Sequence, residues 1–285
     1  FGGGFPGPYS TIDRVDYSND TATAVEKGPL SSTRYYLAAT GNANFGYFGG
    51  GNPSVQSTVR RVDYSNDTVT TPEKGPLSLA RGRLAATGNS SFGYFGGGFP
   101  GPTRSTVDRI DYSNDTATAP AKGPLSVTRE RLSATGNADF GYFSGGQNPS
   151  QLSTIDRVDY SNDTATASPK GPLTVTRTLQ AASSSRANAI PLKGPGVLEL
   201  SVAFGNFSAP GSVPAGTNFG YFGGGWSSMS TVDRVDYSND TATASPKGTL
   251  SSGRSVLGAT GNSSFGYFGG GYPGPKSTVD RVDYS

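Results

Sequence analysis

One stretch of sequence occurs five times along the chain and begins a sixth time. The motif STVDRVDYSNDTATASPKG occupies residues 230–248, and close copies occupy 10–28, 57–75, 105–123 and 153–171. Residues 277–285 repeat its first part. A second motif, FGGG or a close variant of it, recurs with the same period, so that units begin near residues 1, 48, 95, 143, 222 and 268. The chain is therefore expected to form one domain, 1–285, built from a single repeated unit.

Each unit reads as four short strands joined by turns. In the second unit we place these strands, A to D, at residues 34–40, 44–50, 57–65 and 68–78. The Gly-Asn pair after strand A is expected to supply the positive φ of a tight hairpin, and Gly and Pro recur too often for helices. Because one such sheet cannot bury both faces alone, a period of about 47 residues favours sheets stacked around an axis. The prediction is an all-β β-propeller of four-stranded antiparallel blades, six in number.

One interval between units is longer than the others, with extra residues near 186–216. These residues fall where the turn between strands A and B of one blade should be. The sequence VLELSVAF at 197–204 alternates like a strand. It is either an added strand or a degraded strand A. As an insertion between A and B, it would project from the face where the turns hardly vary and could dock the ring onto a parent particle.

Composition excludes several kinds of chemistry. The 285 residues include no Cys and no His, which removes thiol catalysis, disulfides, Ser-His triads and the commonest zinc ligand. The net charge is +2 and the basic residues are singly spaced, so nucleic acid is not an expected partner. No apolar run reaches the roughly 20 residues of a membrane span. Because the sequence starts at Phe1 and both ends fall inside a repeat, we expect a segment of a longer protein.

The order of residues within a unit resembles the kelch repeat, over nearly the whole chain. In that family a di-glycine closes the second strand, a Tyr ends the third, and a Pro–apolar–Arg stretch leads to the next blade. The matching residues in the second unit are Gly49, Gly50, Tyr64, Pro76, Leu77 and Arg81. The resemblance implies a kelch-like propeller, and it carries the alternative function of a protein–protein interaction scaffold in a cellular or secreted protein.

The chain departs from the kelch pattern at one position in every unit. The family's Trp, seven residues after the Tyr, is replaced by Ala24, Thr71, Ala119, Ala167 and Ala244. A large contact between blades is therefore expected to be missing. The near-identical copies also resemble tandem repeats of virion and tail proteins of marine bacteriophages. This second resemblance implies localisation in a virion, with a secreted or cell-surface location as the alternative.

Variation between units is confined to two of the four connections. The B–C loop and the residues after the Arg of the D–A link differ from unit to unit, and in an up-and-down blade both emerge on one face of the ring. Loops on a rigid scaffold often carry binding, and exposed aromatic side chains suit sugar rings or another protein. Neutral drift in unconstrained loops is the alternative. The candidate binding residues are Phe5, Tyr9, Tyr35, Tyr36, Phe99, Arg104, Arg131, Trp226, Tyr272 and Lys276.

Other motifs have simpler explanations. The sequence GGGFPG at 2–7 fits a dinucleotide-binding pattern, but no helix follows it. The Asn-Asp-Thr sequon lies in a turn that favours Asn and Asp in any case. Asp16, Asn19 and Asp20 match no known calcium loop, so neither a metal nor a cofactor is predicted. Asp13 and Arg14, on opposite faces of strand C, are expected with their counterparts to form exposed pairs worth a few tenths of a kcal/mol.

The functional expectation is a structural and adhesion module rather than an enzyme. Carboxylates outside repeated positions, such as Glu130 and Glu199, do not converge by any argument from spacing. A propeller hydrolase or lyase would need a cluster of them near the central channel. The variable face is expected to bind a host surface glycan or a neighbouring virion protein on a phage tail, fibre or capsid. Formation of a homo-oligomer is left open.

Overall fold

The structure is a computed structural model, and it describes residues 1–4, 9–184, 218–262, 264–274 and 276–284. In this part of the chain, twenty strands form six antiparallel sheets that follow one another around a central axis as a β-propeller. Five of the sheets have three or four strands and are the blades. Blade 1 comprises β3 (Ala38–Gly41), β4 (Phe45–Gly49), β5 (Val59–Asp63) and β6 (Glu73–Lys74). Blade 2 comprises β7 (Ala85–Gly88), β8 (Phe92–Gly96) and β9 (Val107–Asp111), and blade 3 comprises β10 (Ser133–Gly136), β11 (Phe140–Ser144), β12 (Ile155–Asp159) and β13 (Ser168–Lys170). Blade 4 comprises β14 (Ala181–Ser184), β15 (Phe219–Gly223), β16 (Thr231–Asp236) and β17 (Ser245–Thr249), and blade 5 comprises β18 (Gly258–Gly261), β19 (Phe265–Gly269) and β20 (Val279–Asp283).

The prediction of six blades is wrong. The first unit contributes only a two-stranded sheet, β1 (Ile12–Arg14) and β2 (Val25–Lys27), to which Gly2 adds an isolated bridge at Ile12. Counting strand C gave six because every copy of the motif contains that strand. This sheet lies between blade 5 and blade 1, since Tyr17 stacks on Tyr267 of blade 5 and Arg14 bonds to Asp67 of blade 1 at 2.6 Å.

Strand B and strand C are close to their predicted positions, whereas strand D is much shorter. In blade 1 it is reduced to Glu73–Lys74. The residues around it bond to neighbouring sheets instead: Thr71 N–H donates to the Pro29 carbonyl and Gly75 N–H to the Asp115 carbonyl, at 3.0 and 2.7 Å. The last strand of each blade therefore joins blades together as much as it extends its own sheet.

The A–B turn does not use the positive φ that we predicted. Neither Gly41 nor Asn42 has a positive φ. The Asn42 side-chain oxygen instead accepts from the N–H groups of Asn44 and Phe45, at 2.9 and 3.0 Å, and closes the turn. Glycine is required at 41 because a Cβ there would lie 2.3 Å from the Phe45 carbonyl oxygen. The repeated Thr-Gly-Asn is thus a side-chain-closed turn with no room for a larger second residue.

The long interval lies within blade 4. Ala181–Ser184 is strand A of this blade and pairs in register with Phe219–Gly223, which is strand B. The interpretation of residues 197–204 as a degraded strand A is therefore wrong, because Ala181–Ser184 occupies that position. Residues 186–216 lie outside the described part of the chain, so their role in docking the ring stays a prediction.

Stacked tyrosines join each blade to the next. The Tyr at the centre of strand B packs against the Tyr that ends strand C of the following unit, as in Tyr94 and Tyr160, whose ring centroids are 4.7 Å apart. Burial raises the pKa of Tyr160 well above its ordinary value. Among the described residues there are five such stacks, formed by the pairs Tyr47–Tyr112, Tyr94–Tyr160, Tyr142–Tyr237, Tyr221–Tyr284 and Tyr267–Tyr17. They supply the large contact between blades that the loss of the kelch Trp led us to expect to be missing.

In blades 2, 3 and 4 the first Asp of strand C is buried rather than exposed, which contradicts the predicted surface pairs. Asp156 and Arg129 are both fully buried, and their charged groups are 2.7 Å apart. Asp156 also accepts from the N–H and hydroxyl of Ser126, at 2.9 and 2.6 Å. Blades 2 and 4 repeat the pair with Asp108–Arg81 and Asp233–Arg177. The local pattern of strand C does not reveal this partner, because the Arg precedes the observed strand A, 27 residues before the Asp in blade 3, and reaches into the blade.

A second carboxylate joins neighbouring blades. Asp115 of blade 2 accepts from three groups of blade 1: the Tyr47 hydroxyl at 2.9 Å, Arg61 at 2.7 Å and Lys74 at 3.1 Å. Burial alone would raise the pKa of Asp115, but the hydrogen bonds from Tyr47, Lys74 and Arg61 outweigh it and lower the pKa. Asp163 and Asp240 repeat the arrangement. The conserved turn sequence thus encodes a contact between blades.

Blade 1 departs from this scheme at one buried charge. Arg60 stands where the other blades have Asp, so the buried Arg34 forms no ion pair with a carboxylate in the part of the chain that the structure describes. Arg34 bonds only to neutral oxygens, including the Gly50 carbonyl at 2.9 Å and the Thr58 carbonyl at 3.1 Å. Burial, and next the positive charge of Arg60, lower the pKa of Arg34 to about 10. Arg60 itself forms an ion pair with the exposed Glu73, at 2.6 Å, so that only Arg34 is left without a close counter-charge among the described residues.

Restoring the carboxylate should stabilise the protein. Arg60→Asp combined with Glu73→Ala copies blade 2, where Asp108 bridges to Ala121. We expect the free energy of unfolding to rise by about 1–3 kcal/mol, because the buried Arg34 gains a charge-assisted hydrogen bond and loses its cationic neighbour. Denaturant unfolding followed by circular dichroism measures the change. Glu73→Ala alone is the control, and equal stability of the two variants would contradict the prediction.

Candidate binding surface

The two variable connections lie on the same face of the ring and are bonded to each other. In blade 2, Gly82 of the D–A link and Phe99 of the B–C loop exchange two backbone hydrogen bonds, of 2.8 and 3.0 Å. Equivalent pairs are Tyr35–Asn52, Glu130–Gln147, Thr178–Trp226 and Ser255–Tyr272. We call this surface the variable face. It is built from pairs of variable residues that are held to the blade by their backbones.

Five residues in the left-handed region form a chain of hydrogen bonds at the channel end of this face. Each is the second residue after the buried Arg of a D–A link, with φ between 56° and 59°. From the second of these residues onward, each N–H donates to the carbonyl of the equivalent residue in the preceding blade, at 2.8–2.9 Å. We call these residues the collar: Tyr36, Arg83, Arg131, Leu179 and Val256.

The collar holds non-glycine residues in a backbone conformation that is costly for them. A left-handed φ costs of the order of 1–3 kcal/mol per residue and is rare for a β-branched side chain such as Val256. The backbone bonds from blade to blade compensate for this cost. Because the backbone bonds fix the conformation, the type of side chain can differ between blades while the place from which it projects stays the same.

Three neighbouring blades bring aromatic and charged side chains together beside the collar. The Arg83 guanidinium lies 5.4 Å from the centre of the Tyr36 ring and 5.0 Å from that of Phe99. The same group donates to Glu130 at 3.0 Å, and Glu130 accepts from Gln147 at 3.2 Å. The Glu130 side chain is largely buried, so this polar cluster is fixed in place.

Three exposed aromatic residues lie elsewhere on the variable face, one on each of three successive sheets around the ring. Trp226 of blade 4, Tyr272 of blade 5 and Tyr9 beside the two-stranded sheet are 51%, 57% and 48% exposed. Backbone bonds hold each of them: the Trp226 N–H donates to the Thr178 carbonyl at 2.9 Å, for example. Large exposed aromatics on a fixed backbone provide flat apolar surfaces for a ligand.

The structure therefore brings together some of the predicted binding residues and separates others. Tyr35, Tyr36, Phe99 and Arg131 lie around the polar cluster; Tyr9, Trp226 and Tyr272 form the exposed aromatic group. Arg104 is half-buried and its backbone bonds to Gly98 and Arg129, whereas Lys276 lines the central cavity. Phe5 lies outside the described residues.

Sequence reasoning missed three members of the polar cluster: Arg83, Glu130 and Gln147. The sequence contained a signal for them, because each occupies a variable position, and no other unit has Glu at the position of Glu130 or Gln at that of Gln147. The sequence could not show that these three side chains contact one another, since they come from two blades and from two types of connection.

A central cavity of about 1640 Å³ opens beside the collar. Strand A of each blade lines it with small side chains such as Ala85, Ala134 and Ala182. Among the described residues, no group of three His, Cys, Asp or Glu is placed to hold a metal ion. No helix in the described ranges is long and apolar enough to cross a membrane.

No protein family model matches this chain, and no curated protein matches it. What the chain shares with other proteins is therefore argued from its residues and its fold.

Proposed function

We propose that this chain is a non-enzymatic adhesion module, a kelch-like propeller that binds a surface glycan of a host through its variable face. The observation that carries the proposal is the row of exposed aromatics, Tyr9, Trp226 and Tyr272, on the same face as the polar cluster of Arg83, Glu130 and Gln147.

The chemistry of this face suits a carbohydrate. Aromatic rings pack against the C–H faces of sugars, while carboxylate, amide and guanidinium groups bond to hydroxyls and fix the orientation of the ligand. The collar and the buried Arg–Asp pairs hold the site rigid, so little conformational entropy is lost on binding. These properties favour a ring on which equivalent positions of several blades contact the ligand at once.

The setting we propose is a phage particle, as part of a tail, fibre or capsid-associated protein. It rests on the resemblance of the near-identical tandem copies to those of phage virion proteins. A rigid ring without cysteine would keep its binding face intact outside the cell, whatever the redox conditions.

A neighbouring virion protein is the second candidate ligand. Arginine together with aromatic residues is typical of the central part of protein interfaces, and Arg83 between Tyr36 and Phe99 is such a group. A kelch-type scaffold in a cellular or secreted protein would use the same residues. The two classes of ligand are separated by which residues their binding requires.

Trp226→Ala is expected to reduce binding to the recognised glycan at least about tenfold, because one central aromatic often contributes 2 kcal/mol or more. Binding is measured first on a glycan array and then by calorimetry with the best ligand. Tyr64→Ala is the matched control, since Tyr64 is 49% exposed but lies at the end of β5, on the opposite face.

Three results of this experiment are distinct. Loss with Trp226→Ala and not with Tyr64→Ala supports the glycan site. If both variants bind the glycan as tightly as the unaltered protein, the ligand contacts another surface and the proposal is contradicted. No glycan bound by the unaltered protein, together with capture of a virion protein that Arg83→Ala abolishes, would favour the second candidate.

A further inference from the structure

The position of the two-stranded sheet in the ring is open on its inner side. In each blade, strand A lines the channel and pairs with strand B. The two-stranded sheet has no strand A among the described residues, and the central cavity extends to Phe1, Gly2 and Ile12. The edge of the sheet at this point presents backbone groups that a further strand could pair with.

Side chains around this opening lack partners that their repeat counterparts have. Asp13 is the counterpart of the buried Asp156, yet it is exposed, and among the described residues no Arg or Lys forms an ion pair with it. Tyr64 is the counterpart of Tyr160, yet it is 49% exposed and has no stacked ring among the described residues.

The carboxylates that join neighbouring blades show the same pattern. Asp67 accepts from Arg14 and Lys27, but from no Tyr hydroxyl in the described chain, whereas Asp115 accepts from all three kinds of group. Asp20 accepts from Tyr267 and Arg281 but from no Lys that the structure describes. One donor of the usual three is missing at each site.

The converse deficiency occurs at the outer edge of blade 4. Tyr221, Arg234 and Lys247 stand where Tyr142, Arg157 and Lys170 of blade 3 converge on Asp240. Neither Arg234 nor Lys247 has a carboxylate partner among the described residues, and Tyr221 is 2% exposed. Here the three donors are present and the acceptor is missing.

A single stretch of the repeat contains every one of these missing groups. Residues 239–267 carry, in order, the Asp, Lys, Ser, Arg and Tyr that make the corresponding contacts elsewhere: Asp240, Lys247, Ser251, Arg254 and Tyr267.

We propose that the open position binds one further polypeptide segment with the sequence pattern of residues 239–267. It would add a fourth strand beside β20 and then an inner strand beside Phe1 and Gly2, so that recognition uses main-chain pairing together with the unpartnered side chains. Its Asp would join Arg234 and Lys247, its Arg would bury against Asp13, and its Tyr would stack on Tyr64 and bond to Asp67.

The test uses a fluorescent synthetic peptide of residues 239–267, titrated with the chain and followed by anisotropy. Saturable binding is expected. Asp13→Ala or Tyr64→Ala in the chain should each weaken it about tenfold, since each removes one charge-assisted or stacked contact, whereas Trp226→Ala should have no effect. Arg254→Ala in the peptide should weaken binding to the unaltered chain but not further to the Asp13→Ala chain, because the two changes remove the same contact.

A second measurement guards against poor solubility of the peptide. The same sequence fused after Ser285 is expected to raise the Tm, by about 5 °C or more, relative to a fusion of the scrambled sequence. Equal Tm values for the two fusions, or peptide binding that Asp13→Ala and Tyr64→Ala leave unchanged, would overturn the proposal.

Discussion

Replacing Asp156 with alanine is expected to lower the free energy of unfolding by about 3–5 kcal/mol, because the change leaves the buried guanidinium of Arg129 without its counter-charge. Asp156 also accepts two hydrogen bonds from Ser126, of 2.9 and 2.6 Å, and these are lost as well. Denaturant unfolding monitored by circular dichroism gives the change.

The repeat provides a matched control for this substitution. Asp13→Ala alters the same position of the motif, but Asp13 is exposed and forms no ion pair with a described Arg or Lys. Little change in stability is expected. Similar losses for Asp156→Ala and Asp13→Ala would show that the buried pair is not the source of the effect.

Tyr160→Ala is expected to have an effect of similar size, about 3–5 kcal/mol, because it leaves a cavity between two blades and removes a stacked pair. Tyr160 is 9% exposed, its ring lies 4.7 Å from that of Tyr94, and its hydroxyl is 3.2 Å from that of Thr87. The Tm and the denaturation midpoint should both fall.

Tyr64→Ala is the control at the same position of the motif. Since Tyr64 is half exposed and lacks a stacked partner among the described residues, its removal should cost less than about 1 kcal/mol. A loss as large as that of Tyr160→Ala would mean that the tyrosines stabilise each unit from within rather than by joining blades.

The variable face was predictable from the sequence, whereas the polar cluster on it was not. Comparison of the six copies shows which connections vary, and strand alternation shows that these connections share a face. It does not show that Arg83 of one blade and Glu130 of the next are 3.0 Å apart. That distance depends on the angle between blades, which packing of the whole ring sets.

The buried charges are the clearest failure of reasoning from local pattern. Asp13 and Asp156 occupy the same place in the motif and alternate with the same neighbours, so a local argument gives them the same surroundings. One is exposed and the other is fully buried. The difference comes from an Arg that precedes strand A, more than twenty residues away in sequence.

The sequence by itself determined the period, the pattern of short antiparallel strands and the sidedness of variation, because these follow from repetition and from the alternation of short strands. The tertiary structure alone decided the number of complete blades, the burial of the Asp–Arg pairs and the collar. Those features depend on closure of the ring: whether a side chain is buried between blades, and whether a backbone group finds a partner, is settled only when the next unit is in place.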